Sequence, residues 1–153
     1  MRKVLLSALI AAVPATMALA QTAENETVKA RRAFYTMLGF EMGGLAAMAQ
    51  GKVEYDAEAA QAHAADMVTL TGLHTADFYA PGTSKDDLPG ETRALPVIWE
   101  DMGAFQEKGQ AFGAALAELN TAAGGGLDAL RPAVGKLGGA CKACHDDFRA
   151  ADF

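Results

Sequence analysis

The stretch PVIWEDMGAFQEKGQAFGAALAEL, Pro96 to Leu119, carries Ile98, Met102, Phe105, Gly109, Phe112, Leu116 and Leu119 at spacings of three and four. Those spacings line one face of an α-helix, whereas a strand would alternate with period two. Pro96 suits a first helical position, because the amide hydrogen it lacks is one that a helix start leaves unpaired. The triplet Gly124-Gly125-Gly126 then breaks the helix.

The same period appears on both sides of this stretch. One helix is predicted from about Glu24 to Gln50, with Tyr35, Leu38, Met42, Leu45 and Ala49 on its apolar line and Gly51 as its stop. A second follows Asp56, a residue able to cap it, with Ala60, His63, Met67, Leu70 and His74 on one face. A fourth runs from about Asp128 to Arg149, with Pro132 in its first turn and Val134, Leu137, Cys141, Cys144 and Phe148 as its stripe. Between the second and third lies a turn-rich loop, Pro81-Gly82-Thr83-Ser84-Lys85-Asp86-Asp87 through Pro89-Gly90. Four amphipathic stretches of roughly 20 residues predict an all-α fold, an antiparallel four-helix bundle.

Composition agrees. The 153 residues suffice for one domain, and 51% hydrophobic against 21% charged residues excludes a disordered chain. A formal net charge of −6 gives no reason to expect nucleic acid or an anionic membrane surface as a partner. Residues 1–20 read as a secretory leader: basic Arg2 and Lys3, an apolar run from Val4 to Val13, and Ala18-Leu19-Ala20 before Gln21. That run is too short for a bilayer, which takes about 20 apolar residues, so no membrane insertion is expected. Cleavage would leave residues 21–153 as the working domain and take the charge from −6 to −8 by removing Arg2 and Lys3. The expected location is periplasmic.

Chemistry is concentrated in Cys141-Lys142-Ala143-Cys144-His145, the C-x-x-C-H pattern of covalent c-type haem attachment. Two thiols add across the two vinyl groups of the ring, and the adjacent imidazole reaches the iron from the same side. On a helix the cysteines are about 60° apart and His145 about 40° beyond Cys141, so all three fall within about 100° and are expected to face the bundle interior. A redox C-x-x-C needs a strand context that is absent here, and a structural zinc would need a fourth ligand from the distant His63 or His74. A disulfide across two residues closes almost no loop and leaves His145 unexplained. A second iron ligand, if there is one, must come from the first three helices. Met42, Met67, Met102, His63 and His74 are the candidates, and each also reads as an ordinary packing or helix-end residue.

The chain resembles the cytochrome c′ family over essentially all of residues 21–153. The resemblance rests on Ala30-Arg31-Arg32-Ala33-Phe34-Tyr35-Thr36-Met37-Leu38-Gly39 with Met42-Gly43, on Pro81-Gly82-Thr83, on Ile98-Trp99, and on Cys141 to Arg149. It implies haem c bound through Cys141 and Cys144, with His145 as the sole protein ligand to iron. It implies that the side chain four after the first-helix arginine shields the opposite face. With Arg31 as that arginine the residue is Tyr35, whereas low-spin relatives carry Met there. The double arginine admits a second register, from Arg32, that puts Thr36 at this place; Tyr35 joins the Leu38–Met42 line. The resemblance further puts Arg31 near a haem propionate and Arg149 beside the proximal histidine.

A five-coordinate, high-spin iron that binds small neutral gases, NO and CO, is the function this implies, linked to NO binding or detoxification and less firmly to electron transfer. The alternative is a six-coordinate, low-spin cytochrome that acts purely as an electron carrier with a periplasmic redox partner. No distal His plus Arg arrangement suggests a peroxidase, so no enzyme is expected. A homodimer is expected through the first helix, where Gly39, Gly43, Gly44, Ala46 and Ala47 allow close approach.

Overall fold

Asp56 holds extended backbone and accepts a hydrogen bond from the Ala59 amide at 2.9 Å, so the second helix starts where its capping residue predicts. The computed structural model describes residues 15–153, with side chains from Glu26 onward. Its helices are α1 (Ala15–Ala49), α2 (Ala57–Thr71), the single turn α3 (Val97–Glu100), α4 (Met102–Ala122) and α5 (Leu127–Phe148). A one-turn 3₁₀ helix, Ala76–Tyr79, lies in the α2–α3 connection. Residues 1–14 of the predicted leader lie outside the described residues. No described helix is long and apolar enough to cross a membrane.

The four long helices alternate in direction. The Gln61 amide near the start of α2 donates to the Asn120 carbonyl near the end of α4 at 3.1 Å, and Arg131 at the start of α5 donates to the Ala49 carbonyl at the end of α1 at 3.0 Å. Tyr55 locks that end of the bundle. Its hydroxyl donates to the Ala123 carbonyl at 2.8 Å and accepts from the Gly126 amide at 2.9 Å, inside a turn whose Gly126 has φ 105°. A side chain at that φ would be strained, which gives the glycine triplet its purpose.

α1 begins at Ala15 rather than near Glu24; beyond that, the bundle is an antiparallel four-helix bundle, as expected, with three local departures. The long third helix is two helices. Asp101 leaves helical geometry (φ −133°, ψ 69°) and accepts from the Ala104 amide at 2.9 Å, because a short carboxylate satisfies a helix start better than it continues a helix. Gly109 is exposed and falls off the buried line, which runs instead through Phe112, Ala115, Leu116 and Leu119. Second, α2 ends at Thr71 and Gly72, so His74 lies beyond it and exposed. Third, Pro132 sits inside α5 rather than in its first turn, while Arg149 leaves the helix to form an isolated antiparallel bridge with Ala94.

The two ends of the bundle differ in how they are filled. Leu45, Met67, Leu119, Leu130 and Leu137 are fully buried, with Ala60, Ala64, Ala115 and Ala123 letting the backbones close around them. Toward the other end the interior residues Met102, Phe105, Phe112, Cys141 and Cys144 are only half-buried. Gly44 belongs to the tight end. A Cβ there would meet His63 Nε2 at 2.5 Å, so this glycine serves packing against α2, and Ala46 likewise packs on the core. Gly39 and Gly43 face open space beside the exposed Phe40 and Met37.

Candidate haem site

The buried stripe of α5 runs Leu130, Val134, Leu137 and resumes at Phe148. Between them sit the motif residues. Cys141 packs against the core, Cys144 is half-buried, and His145 is exposed at the rim. The expectation that all three face the interior therefore holds for Cys141 and weakens toward His145. Both cysteines are unpaired. Burial pushes both thiols above their ordinary pKa, which keeps them as thiols.

Partial desolvation of its ring, with the cations of Arg149 and Arg93 nearby, pushes the His145 imidazole below its ordinary pKa. A neutral imidazole is the form that ligates a metal. Arg149 Nη1 lies 3.4 Å from His145 Nδ1, a weak contact at the edge of hydrogen-bond range. An imidazole ligating through Nε2 carries its hydrogen on Nδ1 and cannot accept from Arg149, so the guanidinium bears on it chiefly through charge.

Across from the motif, α1 supplies Arg31 and Tyr35. Arg31 is 4% exposed. Its guanidinium donates to the Phe78 carbonyl (3.0 Å), Thr83 Oγ1 (3.1 Å), the Thr83 carbonyl (2.7 Å) and Thr92 Oγ1 (2.9 Å). It also lies 5.6 Å from the Tyr79 ring centre and 5.7 Å from that of Trp99. Arg31 is a buried cation among neutral acceptors, pinning the loop to α1. Arg32 is exposed and donates to the Glu91 carbonyl at 3.0 Å, and Thr36 is spent on the Arg32 carbonyl at 2.8 Å. Tyr35, not Thr36, is the residue four after the buried arginine.

Tyr35 is 46% exposed although it stands on the interior line between Arg31 and Leu38. Its ring meets Phe34 edge-on at 5.1 Å, and its hydroxyl lies 2.6 Å from the hydroxyl of Tyr79. The hydroxyl end is enclosed even though the ring's flank is open. Burial pushes the Tyr35 phenol above its usual pKa, and the hydrogen bond with Tyr79 acts in the opposite direction without overcoming it.

Of the other candidate ligands, Met102 is half-buried at the motif's end of the bundle and His74 is exposed beyond α2, while the rest are engaged elsewhere. His63 Nδ1 is 2.6 Å from Glu41 Oε2, Met67 lies deep among the fully buried residues, and Met42 packs beside Gly138. Sequence reasoning missed Tyr79, Thr92 and Glu41 and gave Thr83 no role of its own; all four lie off any apolar line and gain roles only through partners distant in the chain.

These residues suit haem c. Two un-ionised thiols and a neutral imidazole form the donor set, half-buried Tyr35, Phe105 and Phe112 offer apolar surface to a flat ring, and Arg31 is a buried cation without a carboxylate partner. A family model described as Cytochrome C′ matches residues 26–149. The chain belongs to the cytochrome c′ family. Haem c, covalently bound, is accordingly its cofactor.

Among curated cytochromes c′, that of Cereibacter sphaeroides is 54% identical over 149 residues, covering 97% of this chain and 98% of its own. The solved cytochrome c′ of Rhodobacter Spheriodes superposes with a TM-score of 0.82 at 52% identity, covering 84% of this chain and 98% of that one. A nitric oxide complex of a point mutant of cytochrome c prime from Alcaligenes xylosoxidans gives 0.72 at 35% identity, over 84% and 97%. A carbon monoxide-bound variant of that same protein gives 0.71 at 35%, over 82% and 95%.

Proposed function

We propose that the chain is an exported, periplasmic, non-enzymatic haem protein that binds NO and CO at a five-coordinate, high-spin iron and serves NO binding or detoxification. Cys141 and Cys144 anchor the ring through thioethers, and His145 is the sole protein ligand to iron. Tyr35 shields the opposite face, Arg31 lies near a propionate, and Arg149 sits beside the proximal histidine. Bound haem supplies an iron centre with one position open to a small neutral diatomic molecule. Tyr35 carries this reading, because an aromatic ring with an open flank, rather than a Met or His, stands on the interior line of α1 near the motif. The NO- and CO-bound relatives support the choice of gases.

An optical spectrum of oxidised and reduced protein tests the reading. A high-spin ferric spectrum that shifts on adding CO to the ferrous form is expected; a low-spin spectrum with a Met-to-iron charge-transfer band would overturn it in favour of the electron carrier. Replacing both Cys141 and Cys144 with Ser should make the haem extractable into acidified acetone, while the parent retains it.

A homodimer through α1 belongs to the same proposal. Its support is narrower than the run of small residues suggested: Gly39, Gly43, Met37 and the 68% exposed Phe40 form the outward face, while Gly44 and Ala46 are used inside. Sedimentation of the parent and of Phe40→Glu should give dimer and monomer masses respectively.

A further inference from the structure

We propose that Tyr79 is a positioning residue for gas access: its hydroxyl latches Tyr35 across the half-open face of the bundle, and a ligand is admitted when that hydrogen bond breaks. This rests on the gas-binding reading above and adds to it a residue that the sequence pattern did not single out.

The two tyrosines are unequal partners. Tyr79 is held on several sides. Its carbonyl accepts from the Trp99 indole at 3.0 Å, its ring meets Phe105 edge-on at 4.8 Å and lies 6.4 Å from the Trp99 ring, and the Arg31 guanidinium lies over it. Arg31 in turn ties the 3₁₀ helix to α1 through the Phe78 carbonyl. Tyr35 has a ring neighbour in Phe34, an open flank, and the 2.6 Å hydroxyl contact to Tyr79. A rigid anchor and a ring with room on one side make Tyr35 the mover and Tyr79 the stop. Burial pushes both phenols above their ordinary pKa, so the link is a neutral O–H···O bond near neutral pH.

The size of the effect follows from what one hydrogen bond is worth. If access requires an unlatched minority state, the observed association rate scales with its population. Loss of a single net hydrogen bond changes that population roughly 2- to 12-fold. The dissociation rate is unaffected, because the ligand-bound state already has the link broken.

The test is a double-mutant cycle on the holoprotein with Tyr35→Phe, Tyr79→Phe and the double variant, each of which keeps its ring. CO association is followed by flash photolysis, CO dissociation by displacement, and the tyrosine hydrogen-bond marker bands by ultraviolet resonance Raman. Each single variant is expected to bind CO about 2- to 12-fold faster with dissociation unchanged. The double variant should match the singles rather than multiply them, and each single should lose the parent's marker band. An association rate unmoved by Tyr79→Phe, or effects that multiply, would overturn the latch. If Tyr79→Phe fails to fold, Tyr35→Phe removes the same bond and must show the acceleration alone. A parent with a high-spin spectrum and CO binding but insensitive rates sinks the latch only, whereas a low-spin parent sinks the gas-binding reading itself.

Discussion

Glu41 Oε2 and His63 Nδ1 face one another at 2.6 Å across the seam of α1 and α2, with the Glu41 side chain 8% exposed and His63 28%. Gly44 makes this approach possible, since a Cβ at that position would strike the His63 ring. Removing His63 leaves a buried carboxylate without its partner, so His63→Ala should cost about 2–4 kcal/mol, somewhat less than a fully buried pair because His63 is partly solvated. Gly44→Ala should cost about 1–2 kcal/mol: overpacking exceeds the gain in helix propensity. Combining the two should cost less than their sum, because Gly44→Ala loses its clash once the ring is gone. Denaturant unfolding of the four proteins checks this, and strict additivity would contradict the geometry.

Arg31 is the tie between α1 and the long loop. Arg31→Met removes four hydrogen bonds and leaves buried acceptors at Thr83 and Phe78 unpaired. A loss of about 3–5 kcal/mol is expected. Limited proteolysis should then cut between residues 76 and 92, where the parent is resistant. Arg31→Lys should recover little, because one ammonium cannot replace a planar fork that donates through two nitrogens.

Asp101 divides the third helical stretch. Asp101→Ala should cost about 1 kcal/mol through loss of the cap on the Ala104 amide. Thermal unfolding would show this as a lowered midpoint. A stabilised variant would mean that the break between α3 and α4 is strained rather than capped.

The loop and the C-terminal segment should loosen in acid. Ser84, through its hydroxyl and its amide, holds the Asp87 carboxyl below its usual range, and Lys85 does the same for Asp152. Folded values below the unfolded ones mean that this stability is full above the unfolded carboxylate pKa, near 4, and is lost as pH falls through the folded values. Hydrogen exchange across residues 84–94 and 150–153 should therefore accelerate below about pH 4. Lys85→Met should remove the pH dependence from the C-terminal segment while leaving that of the Ser84–Asp87 turn.

By itself the sequence determined the helices and the chemistry. Periods of three and four, the cap at Asp56 and the breaks at Gly51 and Gly124–Gly126 are local signals, and helices are built from local contacts, so the bundle was legible. So was Cys141-Lys142-Ala143-Cys144-His145, whose spacing is the geometry of a single helix turn. Asp101 was legible in principle as a capping residue, but the apolar line running past it pointed to one unbroken helix. Tertiary structure alone decided which arginine is buried, that Gly44 serves His63 and that Tyr79 meets Tyr35. Those relations join residues far apart in the chain, with 44 positions between the two tyrosines and 52 between Arg31 and Thr83. A hydrogen bond between distant residues leaves no periodic trace in either segment; it exists only once packing has brought the two surfaces together.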